Sequence, residues 1–347
     1  MTMNHFNSQF RPVTAIQRCL AAGMIALAVG TMAPVGHALV GPLSWLSGFS
    51  ERSAAVQPAF FAPLPFEPVR IQSAARLERL FDRLGYRLDA VGDGIVPVPA
   101  VELVALPPDL SDMASIKDRK ALFIRAILPV VLRANEAVLE ERARLEAILA
   151  LLEADGALGD TDLQEIRRTA ERYGTPEATP DVEGIRRLLR RVDAIPVSLA
   201  VAQAILESGW GTSRFAVDGN ALFGQWTWDA ASGIVPAARA PGKSHRVRAF
   251  HKLADSAKAY VFNLNTHPAY RSFRQAREAA RRAGGDLPSA GDLARHLGRY
   301  SERGDAYTEE VRAMIRNNRL AVFDGVALGA VGRIADADPV AVGLADG

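Results

Sequence analysis

Apolar residues recur at helical spacing along most of this chain. Over 72–84 they fall at Leu77, Leu80, Phe81 and Leu84, one stripe of an amphipathic helix that Gly85 ends. Residues 86–108 lose the period and, rich in Val, Pro and Gly, read as short extended pieces. Over 115–154 the sequence predicts one long helix, with Asn135 and charged residues on one face. Segments 160–173 and 181–193 continue the pattern, each opening on an Asp that can cap the first turn. The stretch 197–211 is apolar almost all round and therefore predicts a helix buried in a core. Between Phe223 and Phe250 the period fails again, and Gly224, Gly233, Pro236, Pro241 and Gly242 punctuate short apolar runs, as in a small β-lobe. Helices resume over 255–264, 270–283, 289–297 and 306–318, the last with Tyr307, Val311, Met314 and Ile315 on one face. Asn265-Thr266-His267-Pro268 reads as a helix stop and turn, and the chain from Gly325 reads as a loose tail. The expected fold class is mainly α (α+β).

Composition adds limits. The chain has 347 residues, enough for about two domains, with 49% hydrophobic and 23% charged residues. Its 41 basic and 39 acidic residues leave a charge of +2, which argues against a dedicated nucleic-acid partner. One cysteine, Cys19, excludes an internal disulfide framework and a Cys-based zinc cluster. The first acid is Glu51; before it, Arg11 and Arg18 flank an apolar run over 19–35, and Gly36-His37-Ala38 follows. Positive flank, short apolar core and small-residue exit predict a secretory signal over 1–38, with an inner-membrane anchor as the other reading of the same residues. Removing 1–38 leaves 39 basic against 39 acidic residues and no thiol, which suits a periplasm. Residues 39–72, rich in Pro and Phe, read as a tether. The expected organisation then continues with a helical region over 73–180, a second domain over 181–325 and a tail over 326–347.

The chemistry concentrates after residue 197. Gln203 and Glu207 lie four apart on the core helix, and a carboxylate at the end of a buried helix is costly unless it is paired or moves a proton. Ser208-Gly209-Trp210-Gly211 follows, two glycines turning the backbone beside an aromatic. Residues 207–307 hold 12 of the 24 aromatics, among them Trp210, Trp226 and Trp228, flat faces suited to sugar rings or to core packing. Arg239, Lys243, Arg246, Arg248 and Lys252 form a basic run with no acid among them. No His-Glu-x-x-His, phosphate loop or Gly-x-Ser-x-Gly occurs, so no metal, no cofactor and no serine nucleophile is expected.

Four ordered blocks carry a resemblance: AILESGWGTSRFA (204–216), GNALFGQW (219–226), the run 245–274 beginning HRVRAFHKLADS, and RYSERGDAYTEEVRAMIRNNRL (299–320). Together they resemble the glucosaminidase domain of peptidoglycan hydrolases, glycoside hydrolase family seventy-three, and within it the Bax-type branch of bacteria. The resemblance is strong over about 180–320 and extends more weakly through 106–139. It implies a lysozyme-like helical domain with a small β-lobe that cleaves β-1,4 bonds after N-acetylglucosamine in peptidoglycan glycan strands. It also implies Glu207 as the catalytic acid, Asn220-Ala221-Leu222-Phe223-Gly224 as the family's Asn-x-x-Phe-Gly turn, and Tyr300 and Tyr307 as its paired tyrosines. The side chains expected around the glycan are Gln203, Ser208, Trp210, Asn220, Phe223, Gly224, Trp226 and Trp228.

A second carboxylate is not settled by the residues. Asp229 lies early in the β-lobe, Glu302 and Asp305 lie between the tyrosines, Asp255 reads as a helix cap, and the sugar's own acetamido group can replace them all. Three readings therefore stand: a hydrolase, a lytic transglycosylase using one Glu, and a cell-wall binding or scaffold protein without catalysis. The turn Leu222-Phe223-Gly224-Gln225 differs from the Gly-Leu-Met-Gln of transglycosylases. The region 73–180 reads equally as an accessory domain, an autoinhibitory cover or part of one larger fold, and the oligomeric state is left undetermined.

Overall fold

Ser73 accepts a hydrogen bond from the Arg76 N–H and starts helix α1 (Ala74–Arg83), whose Leu77, Leu80 and Phe81 are buried, as their spacing predicts. A computed structural model of the chain describes residues 68–229, 231, 233–235, 246–284 and 287–329. The signal over 1–38, nearly all of the tether, Arg239, Lys243 and the tail from 330 lie outside the described residues. After α1 come a short helix α2 (Leu88–Gly92) and strand β1 (Val98–Pro99), within the segment expected to be extended.

Helix α3 (Ile116–Glu153) is capped by Ser115 and runs 38 residues, a length of about 57 Å at 1.5 Å per residue. Its two halves differ in sequence and hence in surroundings. Residues from Leu122 to Asn135 are buried nearly all round, although Pro129 withholds one backbone donor there. The second half buries only a stripe, Glu141, Leu145 and Ile148. That stripe packs with Ile166 of α4 (Asp160–Arg172) and with Ile185 and Leu188 of α5 (Val182–Arg191) in a small core of its own. Asp181 caps α5 as expected, accepting from the Gly184 N–H at 2.7 Å. Asp160 does not cap α4: Gly159 occupies the cap, and its N–H donates to the carboxylate of Asp162, which sits one turn in.

The first half of α3 belongs to the main core, which joins buried residues of 69–134 to those of 195–323, while the segment between them packs in the small core. The described residues belong to the compact unit Pro65–Gly347, with α1 and the first half of α3 sharing the core of the downstream helices. At its centre lies α6 (Val197–Ser208), followed by α7 (Arg214–Gly219). Strands β2 (Trp226–Thr227), β3 (Gly233–Ile234) and β4 (Arg246–Arg248) form the expected lobe, an antiparallel sheet in the order β2-β4-β3 with Trp226 opposite Val247. Helices α8 (Leu253–Thr266), α9 (Arg271–Arg282), α10 (Ala290–Ala294) and α11 (Asp305–Asn317) complete a mainly α, lysozyme-like domain. Asp255 is not the cap of α8; Lys252 holds that place and Asp255 lies in the first turn. The chain beyond Gly325 is not all tail, because β5 (Leu328–Gly329) pairs in parallel with β1. Among the described residues no helix is long and apolar enough to cross a membrane.

One buried charge cluster fixes the entry to α6. Arg277 of α9 is almost fully buried and donates to the carbonyls of Asp193 and Ala194 and, at 2.7 Å, to Asn265 Oδ1. The Asp193 carboxylate is equally buried and meets Arg277, Arg281 and Arg142. Burial alone would raise its pKa, but the three arginines outweigh that and hold it below the usual carboxylate range. Arg277→Met should destabilise the protein by about 3–5 kcal/mol, since removing one partner strands the others in low dielectric. Urea unfolding of the two proteins checks this.

Candidate active site

Helix α6 crosses the core beside α3, α10 and α11, which is why a sequence with almost no polar face is stable there. Only Leu206 and Glu207 keep partial exposure. The helix stops at once after Glu207, because Gly209, Trp210 and Gly211 are all left-handed, with φ of 58°, 60° and 76°. A Cβ on Gly211 would stand 2.5 Å from Leu106 and 2.8 Å from Phe123, so only glycine fits that turn. The Ser208 hydroxyl donates to the Ala204 carbonyl and accepts from the Gly211 N–H at 2.9 Å, closing the turn from inside. Trp210 leans edge-on against Phe123, with the Lys120 ammonium 4.6 Å above its ring.

Three hydrogen bonds run in one direction to Glu207. Tyr260 donates to Gln203 Oε1 (2.7 Å), Gln203 Nε2 donates to the Tyr307 oxygen (2.8 Å), and Tyr307 donates to Glu207 Oε1 (2.9 Å). Gln203 already supplies a donor to Tyr307, so the single phenolic proton is committed to Glu207. An acid proton on Glu207 therefore resides on Oε2. Beside Oε2 lies Gly224, left-handed at φ 60°, where a Cβ would stand 2.9 Å from that oxygen. Burial raises the Glu207 pKa to about 7; the Tyr307 hydrogen bond lowers it, Glu310 raises it and Arg303 lowers it.

The turn carrying Gly224 is held on several sides. Asn220 adopts the left-handed conformation at φ 50° and donates from Nδ2 to the carbonyls of Phe250 (3.1 Å) and His251 (3.2 Å). The Leu222 N–H donates to Ser256 Oγ, and Phe223 stacks on Tyr260 with ring centroids 4.0 Å apart. Tyr300 donates to the Phe223 carbonyl at 2.8 Å and stacks on Tyr307, the rings 5.5 Å apart and nearly parallel.

The structure thus brings Glu207, Gln203, Tyr300, Tyr307, Phe223 and Gly224 together, but not all in the expected way. Gln203 and Ser208 are 0% exposed and Phe223 is 1% exposed, so they offer a glycan no surface and instead hold the groups that do. Asn220 is buried for the same reason. Of the tryptophans, Trp210 packs against the main core, whereas Trp226 and Trp228 are 53% and 71% exposed on the lobe. Asp229 sits in the exposed turn after β2, its carboxylate accepting from the Ala231 N–H. Glu302 and Asp305 are exposed. In the basic run Lys252 pairs with Glu102 at 3.3 Å, and Arg248 lies over the Phe250 ring. Tyr260 and Glu310 were not singled out by the sequence reading; Glu310 lies three residues after Tyr307 on a helix, a spacing that could have marked it. Among the described residues no group of three His, Cys, Asp or Glu could hold a metal.

A lysozyme-like helical domain, with an acid that burial keeps partly protonated at the end of its core helix beside a small antiparallel lobe, has the arrangement that cleaving a glycosidic bond requires. Residues 183–320 match the glucosaminidase family, described as mannosyl-glycoprotein endo-beta-N-acetylglucosaminidase. The family match makes the chain a glycosidase-type enzyme acting on glycans. The chain belongs to this family, in its Bax-type branch. It is 34% identical over 217 residues to "Protein bax" of Escherichia coli (strain K12), covering 61% of this chain and 74% of that protein. No solved structure gives a significant match.

Two outcomes follow from the geometry. The folded-state pKa of Glu207 lies above the ordinary 4.5, so the native state holds an extra proton between about 4.5 and 7 and loses stability as pH rises through that window. Glu207→Gln should therefore match the wild type near pH 4 and exceed it by about 3 kcal/mol at pH 8, read from urea midpoints across pH. Gly224→Ala should cost about 1–2 kcal/mol of stability for the left-handed backbone and push on Glu207 Oε2 as well, so activity should fall by more than the folded fraction does.

Proposed function

We propose that the protein hydrolyses β-1,4 bonds after N-acetylglucosamine in peptidoglycan glycan strands, with Glu207 as general acid. The observation that carries this reading is the Glu207 carboxyl at the end of the core helix, with Tyr307 on one oxygen and burial raising its pKa to about 7, so that a large share keeps its proton near neutral pH for a leaving oxygen. The proton leaves from Oε2, the oxygen that Tyr307 does not occupy. The carboxylate that remains keeps the Tyr307 hydrogen bond, so its charge is stabilised without rearrangement. Exposed Trp226 and Trp228 on the lobe offer apolar faces on which sugar rings stack. The remaining basic residues of the lobe favour a glycan that carries carboxylates.

Asp229, early in the same lobe, is one candidate for a second carboxylate, and the acetamido group of the substrate can do the same work. A periplasmic location, through the N-terminal signal or an anchor formed by it, puts the enzyme beside this substrate. A lytic transglycosylase, which works with one Glu, is the second reading.

Digestion of purified sacculi followed by mass spectrometry of the muropeptides tests these readings. Reducing N-acetylglucosamine ends are expected, and anhydro-muramic ends would replace hydrolysis by transglycosylation. Glu207→Gln should lower the rate by roughly 10²–10⁴-fold, the usual contribution of a general acid. If wild type and variant bind sacculi but leave them equally intact, the protein is a binding module.

A further inference from the structure

Glu207 carries the reading above, and the inference drawn here rests on it. Glu310 lies on α11 three residues beyond Tyr307, which puts both side chains on one face of the helix a turn apart. Tyr307 is the residue whose hydroxyl stands 2.9 Å from Glu207 Oε1, so that face of α11 is turned to the acid. Arg303 precedes the left-handed Gly304 (φ 55°) at the start of α11, and the helix folds it back so that its Nη2 stands 2.6 Å from Glu310 Oε2. The pair keeps 44% and 32% of its side-chain exposure, where an ion pair adds little to stability. We propose that Glu310, held by Arg303, is a positioning residue for this site: the second carboxylate, acting on Glu207 through space and not on the scissile bond.

The surroundings of Glu207 leave this pair as its electrical control. The tyrosines around it are Tyr307 on α11, whose hydroxyl donates to it, Tyr300 before α11, stacked on Tyr307, Tyr260 on α8, which donates to Gln203, and Tyr270 after α8, whose ring lies 6.1 Å from that of Tyr300. Burial raises all four pKa values above the ordinary tyrosine range, so they stay neutral wherever a carboxyl titrates. Among the described residues, the ionised groups that act on Glu207 are then the paired Glu310 and Arg303 on α11 and just before it, of opposite sign. Glu310 favours the protonated acid and speeds its return to that form after each proton transfer. Arg303 opposes it and limits how far the balance moves. Because each holds the other in place, changing either one changes the balance and leaves the Tyr260–Gln203–Tyr307 chain intact.

The test compares Glu310→Gln, Arg303→Gln and wild type, with Glu310→Asp as the conservative variant, each checked for an unchanged circular-dichroism spectrum and a cooperative melt. The alkaline limb of kcat/KM on sacculi should move down by roughly half a pH unit in Glu310→Gln and up by a similar amount in Arg303→Gln, with Glu310→Asp restoring most of the shift. The same midpoint is read without turnover from the pH at which the stabilisation by Glu207→Gln levels off in each background, since that pH follows the folded-state pKa. Limbs and midpoints that stay put, or that move the same way in both Gln variants, would overturn the proposal. A wild type that cleaves nothing would remove the enzymatic reading, while the stability midpoints would still decide whether the pair controls Glu207.

Discussion

Keeping a carboxyl group nearly free of water at the end of a helix that has no polar face is the constraint around which this molecule is arranged. An isolated ionised carboxylate there would be prohibitively costly, so the group stays protonated into the neutral range and takes one directed hydrogen bond from Tyr307. That bond has its direction only because Gln203 and Tyr260, both fully enclosed, use up the other side of the phenol. Gly224 completes the arrangement by leaving the second oxygen uncovered. Four elements distant in sequence, α6, α8, α11 and the turn before β2, thus converge on one proton.

Such convergence demands that α6 be held rigidly at both ends. At its start, Arg277 and Asp193 lock the 193–196 segment to α9 and α8 through buried hydrogen bonds. At its end, three left-handed residues and the Ser208 hydroxyl reverse the chain within a single turn. Between these anchors the helix is packed by the apolar half of α3, which comes from the upstream region. The first half of α3 therefore belongs to the same core as the site: Phe123 supports Trp210, and Leu106 and Phe123 close over Gly211.

Much of the helical framework was legible in the sequence because its signals are local. Ser73, Ser115, Asp181 and Ser289 cap the helices whose apolar stripes follow them. Local rules failed where two candidates compete over a short distance: Gly159 displaced Asp160 as a cap, and Lys252 displaced Asp255, because an acid placed inside the first turn meets the helix dipole without occupying the cap. The parallel pairing of β5 with β1 was invisible for a different reason. Two-residue strands carry no periodicity, and their partners lie more than two hundred residues apart.

The sequence by itself determined which side chains gather at the site: periodicity marks a Glu closing an apolar helix, and the family resemblance marks an Asn-x-x-Phe-Gly turn and two tyrosines set seven residues apart. These are readable because periodicity and motif order are properties of the chain. What each residue does there was decided only by tertiary structure. Gln203, Ser208, Asn220 and Phe223 look like polar and aromatic contacts for a ligand, yet burial turns them into supports. Tyr260 and Glu310 look like ordinary helical residues, yet packing places one at the head of a hydrogen-bond chain and the other in an ion pair with Arg303 one turn beyond Tyr307. The reason is physical: a side chain's type is local, whereas its solvation, its hydrogen-bond direction and the charges it feels are set by neighbours that only the folded chain supplies.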